Sequence, residues 1–257
     1  TKTGQFFAYA RDERPWGGGD PPGVAYLYAP DRKAEQPIRH LQGFTGVLQV
    51  DGYAGYKVLA DRNAVSLAFC WSHVRRKFYD LAQGGPAPIA TEALARIAEL
   101  YRIEGEIRGR PAEERRDIRQ ARSRAIVEAL EPWLKAKLAL VSQKSKLAEA
   151  IRYTLPRWAG LSRFLDDGRV EIDSNAVERA IRPIALNRKN ALFAGSDGGA
   201  EHWAVIASLV ETAKLNGVDP QAYLVDVITR IVAGHPQSQL DELLPWAYTP
   251  QPLKAVA

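Results

Sequence analysis

Apolar residues in the first eighty positions form short runs that are separated by clusters of turn-forming residues. Such runs, rich in aromatic and β-branched residues, are typical of β-strands. We predict four strands, at residues 5–11, 24–28, 46–50 and 65–69. The first two flank a glycine- and proline-rich cluster at residues 15–23 and should form an antiparallel pair. A short helix is predicted at residues 55–61 and a longer one at 72–81.

From residue 91 onward the apolar positions recur every three or four residues, which is the spacing of one helix face. This spacing predicts an all-helical block over residues 83–167, followed by a short extended segment over 169–172. Further helices are predicted to begin near residue 175 and to cover 200–216 and 219–232. Strands early in the chain and helices later favour an α+β or mixed α/β core that carries a helical insertion.

The composition is that of an ordinary globular protein of 257 residues, of which 46% are hydrophobic and 25% charged. No run approaches the ~18 apolar residues of a transmembrane helix, so no membrane partner is expected. Cys70 is the one cysteine, which excludes an intramolecular disulfide and favours a cytoplasmic protein. The net charge of +5 is compatible with a polyanionic partner but does not by itself indicate one. The chain contains no methionine and begins in strand-like sequence, so we expect it to be part of a longer protein.

Two acidic residues are candidates for chemistry. Asp51 follows the predicted strand at residues 46–50, and a carboxylate at the end of a strand can project into a cleft from a fixed position. The alternative is a simple turn, because Asp-Gly is among the commonest turn dipeptides. Glu178 lies near the start of a predicted helix. Its alternatives are also structural, since Asn175 and Glu178 have capping-box spacing and Glu178 and Arg182 lie one turn apart.

Several polar residues are candidates for contacts with nucleic-acid phosphates. They are His73, Arg75, Arg76, Lys77, Arg179, Arg182, Arg188 and Lys189. Solvated helix faces, or a histidine with a satisfied hydrogen bond, are the alternatives. The loop at residues 195–199 precedes a helix and is either an anion-binding nest or a helix cap. Residues 102–124 hold eight arginines and five acidic residues, so this segment is either a solvated face or a basic interaction surface.

Taken together, seven segments resemble the transposases of the insertion sequence 66 family. They are GQFFAY (residues 4–9), DGYAGY (51–56), CWSHVRRKF (70–78), IDSNAVERAIRP (172–183), LFAGS (192–196), TAKLNG (212–217) and LDELLPW (240–246). They cover nearly the whole chain in order, which makes the resemblance specific. One departure is Ser174, where the family pattern usually has asparagine.

The resemblance implies a transposase of the DDE class. Its fold would be a ribonuclease-H-like core that lacks its first strand and carries an all-helical insertion before the helix of the catalytic glutamate. The family's second aspartate falls on Asp51 and its glutamate on Glu178, and the two would hold two Mg²⁺ (or Mn²⁺) ions and act in catalysis. The implied partners are double-stranded DNA, as terminal inverted repeats and target DNA, and further copies of the chain in a homo-oligomer on DNA. The implied domains are the first part of the core (1–82), the helical insertion (83–167), the second part of the core (168–234) and a C-terminal tail (235–257).

The family's first aspartate belongs to a strand that would precede residues 5–11, so we expect this chain to lack it and to be inactive alone. Asp12, Asp20 and Asp31 fall in or beyond turns and are not substitutes. The main alternative to an enzyme that cleaves and transfers DNA strands is a non-catalytic DNA-binding remnant of a truncated transposase. A second alternative is a helical interaction module, in which residues 102–124 bind an acidic partner.

Overall fold

The computed structural model describes residues 2–62, 65–187, 190–191 and 193–249. These residues form a mixed α/β structure that is mostly helical and contains two small sheets. The chain divides into two units. The terminal unit comprises the described parts of Thr1–Glu13, Gly19–Arg32 and Ala176–Ala257, and the central unit comprises those of Arg14–Gly18 and Lys33–Asn175.

Four strands and eleven α-helices account for most of the described residues. The strands are β1 (Gln5–Arg11), β2 (Gly23–Ala29), β3 (Gly46–Val50) and β4 (Val65–Phe69). The α-helices are α1 (Glu35–His40), α2 (Gly55–Arg62), α3 (Trp71–Gln83), α4 (Pro88–Ile107), α5 (Ala112–Ile118), α6 (Arg124–Leu140), α7 (Lys146–Thr154), α8 (Trp158–Ser162), α9 (Asn175–Asn187), α10 (Asp197–Leu215) and α11 (Pro220–Val232). A π-helical stretch covers Arg119–Ser123, and 3₁₀ turns cover Arg14–Trp16, Leu155–Arg157, Arg163–Leu165 and Gln237–Leu243.

The predicted strands and helices are confirmed, with boundaries that differ by at most three residues, and the block at residues 83–167 is helical. Helix α1 was not predicted, because its sequence has no apolar period and contains Pro37. The extended segment predicted at residues 169–172 is wrong, since these residues form turns and bends. The physical reason is that Val170 N donates to Asp167 O at 3.1 Å, which forms a turn and does not pair this segment with a strand.

In the terminal unit, α10 lies along β2 and satisfies backbone groups of that strand. β2 pairs antiparallel with β1, and its alternate residues Val24 and Tyr26 are buried, as a half-buried strand requires. Ser208 Oγ accepts a hydrogen bond from Tyr26 N at 2.8 Å. Thr212 Oγ1 accepts from Val24 N at 3.1 Å and donates to Val24 O at 3.1 Å. These hydroxyls provide partners for buried backbone groups, which otherwise cost free energy.

In the central unit, β3 and β4 form a parallel pair, and α2 lies between them in the chain. The main core of this unit is built from the helices of the insertion together with β4 and α3. Trp71 is fully buried at the start of α3, and its Nε1 donates to Leu161 O at 2.8 Å. Phe78, Ile97 and Leu100 are buried in the same cluster. The helical insertion therefore shares one core with the strand and helix that follow Asp51 in the chain.

The mixed α/β class is confirmed by these elements. A ribonuclease-H-like core is not shown by two separate two-stranded sheets, and it stays a prediction. The predicted domain division at residues 82, 167 and 234 also stays a prediction. Among the described residues, no helix combines the length and the apolar content that crossing a bilayer requires.

Candidate functional site

Asp51 is the first residue after β3, and its side chain is exposed. Its Oδ1 accepts a hydrogen bond from Tyr53 N at 2.9 Å. Gly52 has a φ of +95°, which favours glycine and turns the chain sharply before α2. Both interpretations of Asp51 therefore hold locally, because the residue begins a turn and also holds an exposed carboxylate at a strand end.

Cys70 lies at the same sheet edge as Asp51, because β3 and β4 are parallel and their last residues lie opposite each other. The Cys70 Sγ lies 2.9 Å from Ser72 Oγ and accepts a hydrogen bond from Ser174 N at 3.2 Å. Burial raises the pKa of the Cys70 thiol, but hydrogen bonds from His73 and two serines outweigh it, so the pKa lies below its ordinary value. The buried thiol thus serves as a hydrogen-bond acceptor that connects the start of α3 with the segment that precedes α9.

The segment that leads into α9 is bound to the start of α3. Trp71 N donates to Ile172 O at 3.1 Å, and Ser174 is buried beside it. The Asp173 carboxylate accepts from Asn175 N at 3.1 Å and from Asn175 Nδ2 at 2.7 Å. Two segments that the resemblance singled out, around residue 70 and around residue 173, are therefore in contact within the central unit.

Glu178 lies in the first turn of α9, and its side chain is exposed. Asp51 belongs to the central unit and Glu178 to the terminal unit. The convergence of these two carboxylates on one pair of metal ions stays a prediction.

The cationic candidates fall into two groups by exposure. The exposed ones are Arg75, Arg76, Arg179 and Arg182. His73 and Lys77 are half-buried, and Lys77 Nζ lies 4.6 Å from the centroid of the Tyr153 ring. Arg188 and Lys189 lie outside the described residues. Contacts of these side chains with DNA stay predictions.

Two residues beside Asp51 were missed by the sequence analysis. The Tyr153 hydroxyl donates to Asp51 O at 3.3 Å, and the Arg157 guanidinium lies 4.0 Å from the centroid of the Tyr153 ring. Burial raises the pKa of Tyr153, with Arg157 opposing and Asp51 adding to the shift, so the hydroxyl remains a neutral donor. The two residues have helical i, i+4 spacing, but 102 residues separate Tyr153 from Asp51, and the sequence carries no sign of their proximity.

The arginine-rich segment at residues 102–124 is largely neutralised within the central unit. Seven of its eight arginines pair with a carboxylate there: Arg102, Arg110, Arg115, Arg116, Arg119, Arg122 and Arg124. Some of the carboxylates lie outside the segment, at Glu99, Glu128, Asp166 and Glu171. Arg115 and Arg119 are buried. Little of the local positive excess is therefore left for DNA or for an acidic protein partner.

The loop at residues 195–199 is a helix cap. Ser196 Oγ accepts from a backbone N–H of the first turn of α10 at 3.0 Å. Asp197 accepts from Lys2 Nζ at 2.6 Å and from Tyr28 Oη at 2.5 Å. Because a carboxylate at this position repels a second anion, the geometry favours the cap over the anion-binding nest.

Two protein-family models match the chain. The model described as the transposase IS66 family matches residues 1–202, and the model described as the IS66 C-terminal element matches residues 208–246. The boundary between the two matches lies within α10, whose Thr212 binds β2 of the terminal unit. The resemblance drawn from the motifs is thereby confirmed over nearly the whole chain.

Three curated relatives come from Sinorhizobium fredii. The uncharacterized protein y4qI is 51% identical over 251 residues, which are 95% of this chain and 47% of the relative. The uncharacterized protein y4jD is 48% identical over 253 residues, which are 96% of this chain and 50% of the relative. The uncharacterized protein y4hP is 43% identical over 262 residues, which correspond to 96% and 47% of the two chains. The chain spans about half the length of these relatives, and no solved structure is significantly similar to it.

Proposed function

The chain belongs to the IS66 family of transposases, and from this membership we propose that it forms part of the catalytic region of a DDE-type transposase. The proposed reaction is metal-dependent cleavage of a DNA strand at the ends of an insertion sequence, followed by transfer of that strand to target DNA. One structural observation supports the proposal most directly. Asp51 holds an exposed carboxylate immediately after a parallel strand, oriented by a backbone hydrogen bond.

Asp51 and Glu178 are the proposed ligands of two Mg²⁺ or Mn²⁺ ions. Such hard cations prefer carboxylate oxygens, and both side chains are exposed carboxylates, so the donors fit the ions in kind. When bound, a pair of these ions activates an attacking water or 3′-hydroxyl and stabilises the leaving oxygen. We further propose that a third carboxylate, the family's first aspartate, completes the ligand set.

The neighbours of Asp51 are proposed to hold its carboxylate in place before DNA binds. Tyr53 N donates to Asp51 Oδ1, which limits rotation of the carboxylate. The Tyr153 hydroxyl donates to the carbonyl oxygen of the same residue, which restrains the backbone. Side chains that are ordered in advance lose less conformational freedom when substrate binds, and a site built this way is more precise.

The proposed partner is double-stranded DNA, both at the terminal inverted repeats and at the target site, bound by a homo-oligomer. A ribonuclease-H-like arrangement of the catalytic core is part of the same proposal. It rests on the family membership, since the family resemblance implies that core.

Cleavage and strand transfer by the full protein test the proposal. The variants Asp51→Asn and Glu178→Gln remove a charge with little change in shape, and we expect each to abolish Mg²⁺-dependent cleavage of DNA that carries the element ends. Binding of the same DNA should stay within about threefold of wild type, because carboxylates do not attract phosphates. The matched control is Asp61→Asn, an exposed aspartate on α2, which should retain activity.

Chelation of the divalent ions should abolish cleavage by the wild type, and added Mg²⁺ should restore it. Retained cleavage by Asp51→Asn or Glu178→Gln refutes their assignment as ligands. Loss of folding in both variants assigns them structural roles instead. Salt-sensitive DNA binding by a wild-type full protein that never cleaves, at any metal concentration, identifies a DNA-binding remnant.

A further inference from the structure

Two cations approach one aromatic ring beside Asp51. The Arg157 guanidinium lies 4.0 Å from the centroid of Tyr153, and the Lys77 ammonium lies 4.6 Å from the same centroid. The Tyr153 hydroxyl is hydrogen-bonded to Asp51 O, so the ring is anchored to the end of β3. All four residues belong to the central unit. The ring therefore holds two positive charges close to the proposed metal ligand.

The positive charges of Arg157 and Lys77 lack a counter-ion within the part of the chain that the structure describes. Arg157 Nη1 donates to Tyr153 O at 2.6 Å, whereas Arg157 Nε is buried with no hydrogen-bond partner among the described atoms. In the comparable stack on Trp133 the arginine differs, because Arg96 also pairs with Glu92 at 2.7 Å, while Lys137 on the same ring has no ion pair among the described residues. Two cations without a carboxylate nearby leave a local positive charge that attracts an anion.

The backbone next to Asp51 comes close to the Arg157 guanidinium. A Cβ added at Gly52 would lie 3.2 Å from Arg157 Nε and 3.2 Å from the Tyr153 hydroxyl. The glycine thus permits close packing of the guanidinium against the residue that follows Asp51. An anion held by Arg157 would consequently lie within a few ångströms of the chain that carries the proposed metal ligand.

We infer that Arg157 and Lys77, held on Tyr153, bind a DNA backbone phosphate next to the one that is cleaved. This inference rests on the proposed function, because the proposed function places the DNA at the edge of the sheet that carries Asp51. The guanidinium N–H groups of Arg157 other than the buried Nε can donate charge-assisted hydrogen bonds to a phosphate, and lysine adds a point charge. Such contacts fix the register of the duplex without reading its sequence.

Salt-dependent DNA binding by the full protein tests the inference. We expect Arg157→Gln and Lys77→Gln each to weaken binding of a short duplex about tenfold, the effect of removing one charge-assisted hydrogen bond. The slope of log affinity against log salt should fall by about 0.9 for each phosphate that the variant no longer neutralises. Arg157→Lys should keep the slope and recover part of the affinity. The matched control is Arg152→Gln on α7, an exposed arginine bonded to Gln143, which should change affinity less than twofold.

A scan with neutral methylphosphonate substitutions locates the phosphate that is bound. A methylphosphonate at one or two adjacent DNA positions should weaken binding by the wild-type protein. The same DNA change should not weaken binding by the Arg157→Gln protein any further. The inference is overturned if the affinity losses from the DNA change and from the protein variant are additive at every position. It is also overturned if both glutamine variants keep the wild-type slope of log affinity against log salt. If Arg157→Gln fails to fold, the same scan with Lys77→Gln tests the inference instead, since Lys77 lies on α3, away from Arg157 in the chain.

Failure of the inference and failure of the proposed function are distinguishable. If Asp51→Asn is inactive while Arg157→Gln and Lys77→Gln bind DNA as the wild type does, the phosphate site is refuted and the proposed function stands. If the wild-type full protein never cleaves DNA at any metal concentration, the proposed function is refuted whatever the Arg157 and Lys77 variants show.

Discussion

Arg119 and Glu104 form a two-point ion pair inside the helical insertion, with Arg119 completely buried. Arg119 Nε donates to Glu104 Oε1 at 2.8 Å, and Arg119 Nη2 donates to Glu104 Oε2 at 2.6 Å. The remaining donor, Nη1, reaches the carbonyl oxygens of Phe164, Asp167 and Val170 at 2.9, 3.2 and 3.0 Å. One guanidinium thus binds α4 to the turns that follow α8 and lead into α9.

Loss of either partner of this pair should strongly destabilise the central unit. We expect Arg119→Met or Glu104→Leu to lower the free energy of unfolding by about 3–5 kcal/mol. Glu104→Leu leaves the buried Arg119 without a carboxylate, and Arg119→Met leaves Glu104 only its longer contact with Arg115 Nη2, at 3.4 Å. The double variant should cost less than the sum of the two single variants. Urea unfolding measures the three values. Single-variant losses below about 1 kcal/mol, or strict additivity, would contradict the role of the pair.

The hydroxyl of Thr212 should be worth a measurable amount of stability in the terminal unit. Thr212→Val keeps the shape but removes both hydrogen bonds to the backbone of Val24, and we expect a loss of about 1–3 kcal/mol. Thr229→Val on α11 is the matched control, since Thr229 is exposed and its hydroxyl donates to Val225 O within the same helix. Thermal unfolding of the two variants side by side provides the test. Equal stability of both would show that α10 does not depend on this hydrogen-bonded pair.

Alanine variants of Gly52 and Gly43 distinguish the cost of backbone strain from the cost of side-chain crowding. Both have positive φ, +95° and +80°, so alanine at either position should cost about 1–2 kcal/mol in strain. Only at Gly52 would the new Cβ meet Arg157 and Tyr153, whereas nothing lies within 4 Å at Gly43. We therefore expect Gly52→Ala to be the less stable variant and the only one of the two to weaken DNA binding. Indistinguishable unfolding curves and affinities would refute the close packing beside Asp51.

Asp167 should make a pH-dependent contribution to stability. Its carboxylate accepts from Arg169 Nη2 at 2.8 Å and from Arg169 N at 2.9 Å. The side-chain hydrogen bond from Arg169 outweighs burial and lowers the pKa of Asp167 below its ordinary value of 3.8. A lowered pKa means that the contribution is complete above the unfolded-state pKa and is lost as the pH falls through the folded-state pKa.

Asp167→Asn should accordingly be less stable than the wild type at pH 7, by up to about 1 kcal/mol for a partly exposed pair. The difference should begin to shrink as the pH falls below about 4, near the unfolded-state pKa. It should disappear only below the lowered folded-state pKa, where the carboxylate of the native wild type becomes protonated. Urea unfolding at several pH values measures it. In an Arg169→Gln background the effect of Asp167→Asn should shrink, and an unchanged effect there would point to another cause.

The local structure of this chain follows from its sequence wherever the periodicity is strong. All four strands were predicted because their apolar runs are short, β-branched or aromatic, and bounded by turn residues. Helix α1 was not, because a short surface helix with an internal proline has no period to recognise. The turns at residues 169–172 were misassigned for a related reason, since a few apolar residues fit a turn as well as a strand.

The residues of the candidate site likewise divide into those that the sequence indicates and those that only the packing reveals. Asp51 could be proposed as a site residue from the sequence, because its motif and its place at a strand end are both local features, and that role stays a prediction. Arg157 and Tyr153 could not, because their relation to Asp51 depends on how α7 and the 3₁₀ turn after it pack against the end of β3. Among the arginines of residues 102–124, nothing in the sequence distinguishes the buried Arg119 from the exposed Arg102.

The sequence alone therefore determined most of the elements, the family and which acidic residues are candidates, because each depends on neighbours in the chain. The tertiary structure decided which cations are neutralised and which remain without a carboxylate. The reason is physical: the free energy of a charged side chain depends on its burial and on partners that are distant in sequence, and packing alone sets both.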